Sequence, residues 1–127
     1  MKKVVISICN SLIALSIRHT LEQTGDFRVY SVDPGGGTVV QTCIEASAEV
    51  LLLETAYQQG STIHDRLAEA KALRKALPHC KVVLLCDENS VPGIARSVAV
   101  AKKDGLIDDF VYSSVSASYF VALLDAT

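Results

Sequence analysis

Glu49-Val50-Leu51-Leu52-Leu53-Glu54, followed by Thr55-Ala56-Tyr57-Gln58-Gln59-Gly60, is the stretch that decides the fold. An unbroken apolar run bounded by acidic residues and followed by a polar, glycine-containing segment reads as a short strand buried on both faces. Central strands of a parallel sheet covered by helices on each side have this pattern. Such a strand delivers its last residue, here Glu54, to the C-terminal edge of the sheet, where open α/β folds place their ligand and switch sites. A carboxylate at that edge needs an explanation.

The rest of the chain supplies the partners of this strand. Lys3-Val4-Val5-Ile6-Ser7-Ile8 is a β-branched first strand, and a helix runs from Leu12 to about Thr24, capped by Asn10 or Ser11. Ile13, Ile17 and Leu21, with Ala14 beside them, form its expected inward face, and Gly25-Asp26 ends it. Phe27–Val32 is expected as an edge strand, and Asp33-Pro34-Gly35-Gly36-Gly37 as a loop. Those glycines lack the Lys-Ser/Thr or Gly-x-Gly-x-x-Gly context of a phosphate cradle, so a connector is the reading. A second helix covers Thr38 to about Ala46, with Val39, Val40, Cys43 and Ile44 inward. A third covers Thr62–Leu77, burying Ile63, Leu67, Ala70, Leu73 and Leu77 and leaving Arg66, Glu69, Lys71, Arg74 and Lys75 on its other face. Pro78 stops it. Lys81–Cys86 is a fourth, equally apolar strand, with an exit loop over Asp87–Ser90. Val91–Lys103 follows as a helix with Pro92 in its first turn, ended by Gly105. Asp109–Tyr112 is a fifth strand and a last helix starts near Ala117.

Strict alternation of strands and helices predicts one α/β domain over residues 1–127. Its architecture is three-layer α/β/α, with a five-stranded parallel sheet in the flavodoxin-like order 2-1-3-4-5. At 127 residues, 50% apolar and 20% charged, the chain is long enough to bury a core. The net charge of −2 gives no electrostatic footprint for direct nucleic-acid binding by this domain. No apolar run approaches the ~18 residues of a membrane span and no signal peptide is visible, so the expectation is a cytoplasmic protein without membrane association. Cys9, Cys43, Cys80 and Cys86 show no CxxC pairing or metal-ligand spacing, so neither a metal nor a cofactor is expected.

The stretch Ala48–Glu54, the helix end Arg74-Lys75-Ala76-Leu77-Pro78 and the strand Lys81–Cys86 together resemble the middle of a response-regulator receiver domain of two-component signalling. Leu106–Tyr112 is similar to that family's approach to its fifth strand. The likeness covers essentially the whole chain and rests on element order and hydrophobic pattern. It implies a phosphoacceptor aspartate at the end of the third strand, an acidic pair holding Mg²⁺ after the first, a Thr/Ser after the fourth and a lysine after the fifth. This sequence departs at every one of these. Ile8 and Cys9 stand for the acidic pair, Glu54 for the aspartate, Cys86 for the Thr/Ser, and Ser113 with Ser114 for the lysine and its neighbour. Isoleucine and a thiol are not the hard oxygen ligands that Mg²⁺ demands, and without Mg²⁺ or lysine nothing neutralises a transferring phosphoryl group. The reading is a degenerate pseudo-receiver, not an enzyme and without catalytic residues. It is expected to act by protein–protein contact as the N-terminal part of a longer regulator, with an output domain beyond Thr127 that in this family is most commonly DNA-binding.

Other readings stay open. Glu54 is either a solvated carboxylate or a mimic of phosphoaspartate, and with Asp87 it could bind a cation only weakly. Phosphotransfer on Glu54 is one alternative. Phosphorylation of Cys9, placed as in the B subunits of sugar phosphotransferases, is another, against a simply packed thiol. A small-ligand binder at the C-terminal sheet edge is a third. His19, His64 and His79 are expected on the surface. The fourth helix, with Val91, Ile94, Ala95, Val98, Ala99, Val100 and Ala101, is apolar around much of its circumference. It is either thoroughly buried or, with Tyr112, Tyr119 and Phe120, part of a homodimer face built on Ile94, Val98, Ala101, Tyr112 and Tyr119.

Overall fold

A computed structural model describes residues 1–32, 38–56, 61–87 and 93–127. Five strands, β1 (Lys2–Ser7), β2 (Phe27–Val32), β3 (Val50–Glu54), β4 (Lys81–Cys86) and β5 (Asp109–Tyr112), form one parallel sheet in the order β2-β1-β3-β4-β5. Five helices alternate with them: α1 (Ser11–Glu22), α2 (Val39–Ala46), α3 (Ile63–Ala76), α4 (Ile94–Lys103) and α5 (Ala117–Ala126). The flavodoxin-like topology expected from the sequence is the one observed.

The sheet is centred on β3. Val50 pairs with Val4 of β1 and Lys81 of β4, and the registers run parallel from there to Glu54 opposite Leu85. Successive side chains leave a strand on opposite faces. Leu51 and Leu53 therefore enter the core against α2, α3 and α4, while Val50 and Leu52 enter the core against α1 and α5. Both faces are dry, and this is why β3 and β4 read as continuous apolar runs. β2 shows the alternating burial of an edge strand, as its weaker pattern implied.

The termini of the elements follow from local chemistry. Asn10 Oδ1 accepts the N–H groups of Leu12 and Ile13, Thr62 Oγ1 that of Asp65, and Ser116 Oγ that of Tyr119, so the first orphan donors of α1, α3 and α5 are satisfied. Gly25 (φ 78°) and Gly105 (φ 76°) take the left-handed conformation just past α1 and α4, where a side chain would be strained. Lys2 Nζ donates to the carbonyls of Leu124, Asp125 and Thr127 at 2.9–3.0 Å, placing a cation at the negative end of α5.

Three helix faces differ from the sequence reading. Of the stripe expected on α1, only Leu21 is fully buried; Ala14 and Ile17 are half-buried and Ile13 is exposed. The helix meets the sheet chiefly through its C-terminal half, and Leu12 (76% exposed) and Leu15 (63%) face solvent. Ile44 of α2 is likewise exposed, Val39 and Cys43 sufficing to seat that short helix. On α3, Arg66, read as outward, is fully buried. The loop at Asp33–Gly37, the segment Tyr57–Gly60, most of the exit loop after β4 and the first turn proposed at Val91–Pro92 lie outside the described residues.

Because Leu52 is fully buried in the central strand, Leu52→Ala should cost about 2–5 kcal/mol. Urea denaturation would show this as a lower midpoint at unchanged slope. An unshifted midpoint would mean that the strand is not central.

Candidate functional site at the C-terminal edge of the sheet

β1 and β3 end side by side, and the last residue of each turns a main-chain carbonyl toward the C-terminal edge. In an open sheet these carbonyls need donors. Here they share one. Arg66, on the second turn of α3, donates Nε–H to Glu54 O at 2.7 Å and Nη2–H to Ser7 O at 2.9 Å. Its Nη1 donates to Ser7 Oγ at 3.0 Å and to Glu69 Oε1 at 2.9 Å. The guanidinium is fully buried, while Glu69, its carboxylate partner one turn further along α3, keeps partial access to water. The planar fork of arginine can serve several acceptors at once, which a lysine ammonium cannot do in the same geometry.

Glu54 is half-buried, and its side chain is also committed. Oε1 accepts the backbone N–H of Cys9 at 2.8 Å, just before α1 begins. The Cys9 thiol lies 2.8 Å from Ser61 Oγ, and Ser61 O accepts the N–H of Ala56 at 2.7 Å. Ser61 is buried.

The remaining positions singled out in the sequence are dispersed. Ile8 packs in the core on the α1–α5 side, with Leu21 and Phe120 in the same cluster. Cys86 is buried on the other face, among the residues under α2–α4. Burial pushes its thiol pKa up, partly offset by a hydrogen bond with Thr55. The register sets Glu54 opposite Leu85, so Glu54 and Cys86 leave the sheet on opposite faces. Ser113 is exposed and is linked to the edge by its main chain, its N–H donating to Cys86 O at 2.8 Å. Of the five positions, the structure joins Cys9 to Glu54 through the carboxylate and Ser113 to Cys86 through the main chain.

These residues do not fit a magnesium site. Ile8 is buried in hydrocarbon, Cys9 offers sulfur, and one oxygen of Glu54 already accepts a hydrogen bond. A guanidinium charge stands between the strand ends. Among the described residues, no three His, Cys, Asp or Glu side chains converge on a common point. His19, His64 and His79 are exposed, as expected.

Sequence reasoning missed Arg66, although a signal was present. Ile63, Arg66, Ala70, Leu73 and Leu77 follow one another at alternating spacings of three and four, the rhythm of a single helix face. A charged residue in the middle of that stripe has to be buried with partners.

The residues of the suggested dimer face divide as well. Ile94, Val98 and Ala101 are the sheet-facing stripe of α4 and are buried. Tyr112 is half-buried, edge-on to Phe110 with ring centroids 5.7 Å apart. Val100 (48%) and Tyr119 (55%) are exposed. Between α1 and α5 a recess of about 250 Å³ opens, with Ile13, Ile17, Tyr112, Ser113 and Phe120 among its lining.

No protein-family model matches the sequence, and no curated protein does. The fold, however, is that of many solved receiver domains. A DNA-binding response regulator of the LuxR family from Staphylococcus aureus superposes with a TM-score of 0.76 at 19% identity, over 99% of this chain and 98% of that one. The receiver domain of AraT, a response regulator from Geobacillus stearothermophilus, gives 0.75 at 17% identity, over 98% and 91%. The RcsB response regulator of Salmonella typhimurium gives 0.73 at 18% identity, over 99% of this chain and 58% of that one. At these identities the likeness establishes a shared fold.

Removing the guanidinium would leave two strand-end carbonyls and a buried hydroxyl without their donor. Arg66→Met should therefore destabilise the domain by roughly 3 kcal/mol or more, and Arg66→Lys, which keeps the charge but loses the fork, by less. Thermal and urea unfolding of both variants would check this. Wild-type stability in Arg66→Met would contradict it.

Proposed function

We propose that this protein is a receiver-type signalling domain that works through protein–protein contact and does not undergo aspartyl phosphorylation. The observation that carries the proposal is the buried Arg66 guanidinium bonded to Ser7 and Glu54 at the edge where a receiver would assemble Mg²⁺ and phosphoryl group. A fixed internal cation there organises the strand ends without a metal.

The replaced residues support the same reading. Glu54 is one methylene longer than aspartate and is turned onto the Cys9 amide. An in-line phosphoryl donor would meet a displaced nucleophile, an error of the kind that costs on the order of 100-fold in rate. Cys86 leaves its strand on the face opposite Glu54, and neither it nor Ser113 supplies a positive charge. The domain is accordingly a non-enzymatic pseudo-receiver, cytoplasmic, and the N-terminal part of a longer regulator. The DNA-binding LuxR-family regulator among its structural neighbours makes a transcriptional output module after Thr127 the reading with most support.

Contact with a second copy of the chain is proposed through α4, β5 and α5. The usable surface is narrower than the apolar content of α4 implied, because Ile94, Val98 and Ala101 serve the core. Val100 and Tyr119 are the side chains free to meet a partner, with Tyr112 at the margin.

Two measurements test these points. Incubation with a small acyl phosphate and Mg²⁺, followed by intact mass, should leave the mass unchanged; a stoichiometric phosphate on Glu54 or Cys9 would overturn the proposal. Light scattering should find a dimer that Val100→Asp or Tyr119→Asp weakens. Val98→Asp is unsuitable, since it would put a carboxylate into the core. A monomer at every concentration would remove the interface, and a dimer sensitive only to Leu12→Asp or Leu15→Asp would move it to α1.

A further inference from the structure

Ile13, Ile17 and Leu21 follow one another at helical spacing along one face of α1, yet only Leu21 is fully buried. The helix meets the sheet through its C-terminal half, and Ile13 and Ile17 line the recess of about 250 Å³ between α1 and α5. Leu85, next to last in β4, and Phe120 of α5 also line it, and both belong to the core. β5 reaches the recess through Tyr112, its last residue, and Val115 joins from the connection to α5. Apolar surface from α1, β4 and α5 thus converges on one concavity, where replacing water by an apolar group is favourable.

The polar part of the lining narrows the chemistry further. Ser16 and Thr20 of α1, Tyr112 of β5 and Ser113 after it each bring a hydroxyl. Among the described residues, none of these four hydroxyls bonds to another protein group, whereas that of Ser116 is engaged in capping α5. No Asp, Glu, Lys, Arg or His side chain lines the recess. An ionised ligand would leave water there without a compensating charge, which is unfavourable, while a hydroxyl or carbonyl group finds partners. Small-molecule sites share this composition, an apolar body with a few polar groups that fix orientation. Glu54, Cys9 and Arg66 do not line the recess, so its occupancy is independent of the strand-end contacts.

We propose that the recess between α1 and α5 binds a small uncharged aromatic molecule that carries a hydroxyl or carbonyl group. The ring rests on the hydrocarbon of Ile17, Leu85 and Phe120, with Tyr112 as a second aromatic contact. The polar group exchanges hydrogen bonds with the hydroxyls of Ser16, Thr20 or Ser113, each able to donate and to accept. At about 250 Å³ the recess suits a single or fused ring and not an extended chain. Under the function proposed above, such a ligand is an input that needs no phosphoryl transfer, but its binding does not depend on that reading.

The test uses the whole chain, isotopically labelled for amide and methyl NMR, titrated into the millimolar range with two neutral probes, 2-phenylethanol and indole-3-ethanol. At least one of them should give saturable shifts centred on the methyl groups of Ile17, Leu85 and Val115 and the amides of Ser16 and Ser113. The matched anions, phenylacetate and indole-3-acetate, should bind more weakly by roughly tenfold or more. Ser16→Trp, at an exposed helix position on the recess, should abolish the saturation, while Leu12→Asp, exposed on α1 outside the recess, should keep it. The wild-type shift map decides the matter even if Ser16→Trp fails to fold. No saturable shift with either neutral probe, anions that bind as well as the alcohols, shifts centred elsewhere, binding that survives in folded Ser16→Trp, or binding lost in Leu12→Asp would each overturn the proposal.

Discussion

The arrangement at the C-terminal edge depends on one buried charge. A guanidinium removed from water is tolerated only when its donors are matched by acceptors and its charge is balanced, because the desolvation cost otherwise exceeds what any single hydrogen bond returns. Arg66 meets both conditions. It serves the terminal carbonyls of β1 and β3, the hydroxyl of Ser7 and the carboxylate of Glu69. The consequence is geometric. α3 is pinned to the ends of two central strands at a point where the chain would otherwise leave unsatisfied carbonyls beneath a loop. Ser7 is part of the same arrangement, since its small side chain admits the guanidinium and its hydroxyl accepts from it.

That constraint reshapes the meaning of Glu54. The carboxylate sits at the end of the strand on which the sheet is centred, at the position that the resemblance to receiver domains matches to their phosphoacceptor. It is bonded to the Cys9 amide, on the face toward α1, while the cation bonds to its main chain. Side chain and main chain of one residue thus hold two different partners. Among the described residues, the edge groups Arg66, Ser7, Glu54, Cys9 and Ser61 are tied to one another by internal hydrogen bonds. On the function proposed above, the domain keeps the fold of a switch module and its surfaces, rather than its edge, carry information.

The fold was readable from sequence because parallel strands covered on both faces must be apolar throughout, and Val50–Leu53 and Val82–Leu85 are. Alternation of elements then restricts the topology to very few candidates. Helix orientation was less readable. On α1 the apolar residues are spread so widely that periodicity alone turned Ile13 inward, whereas the helix touches the sheet mainly through Leu21. On α4 the reverse held: Ile94, Val98 and Ala101 form a sheet-facing stripe, and the exposed remainder is smaller than the composition suggests. Arg66 was hidden by residue type. Its spacing placed it among core positions, but a charged side chain on a helix is assigned to solvent unless an acceptor set is known, and two of its acceptors are main-chain carbonyls that no sequence pattern displays.

The most direct test of the account is a Mg²⁺ titration of the isotopically labelled protein followed by amide NMR, carried through the millimolar range with and without an acyl phosphate. If Arg66 holds the edge closed, the amides of Cys9, Glu54 and Thr55 will show only small, non-saturating shifts, the same with and without the phosphodonor. Saturable shifts centred on those three amides, enhanced when the acyl phosphate is added, would show a working metal and phosphoryl site and would contradict the account.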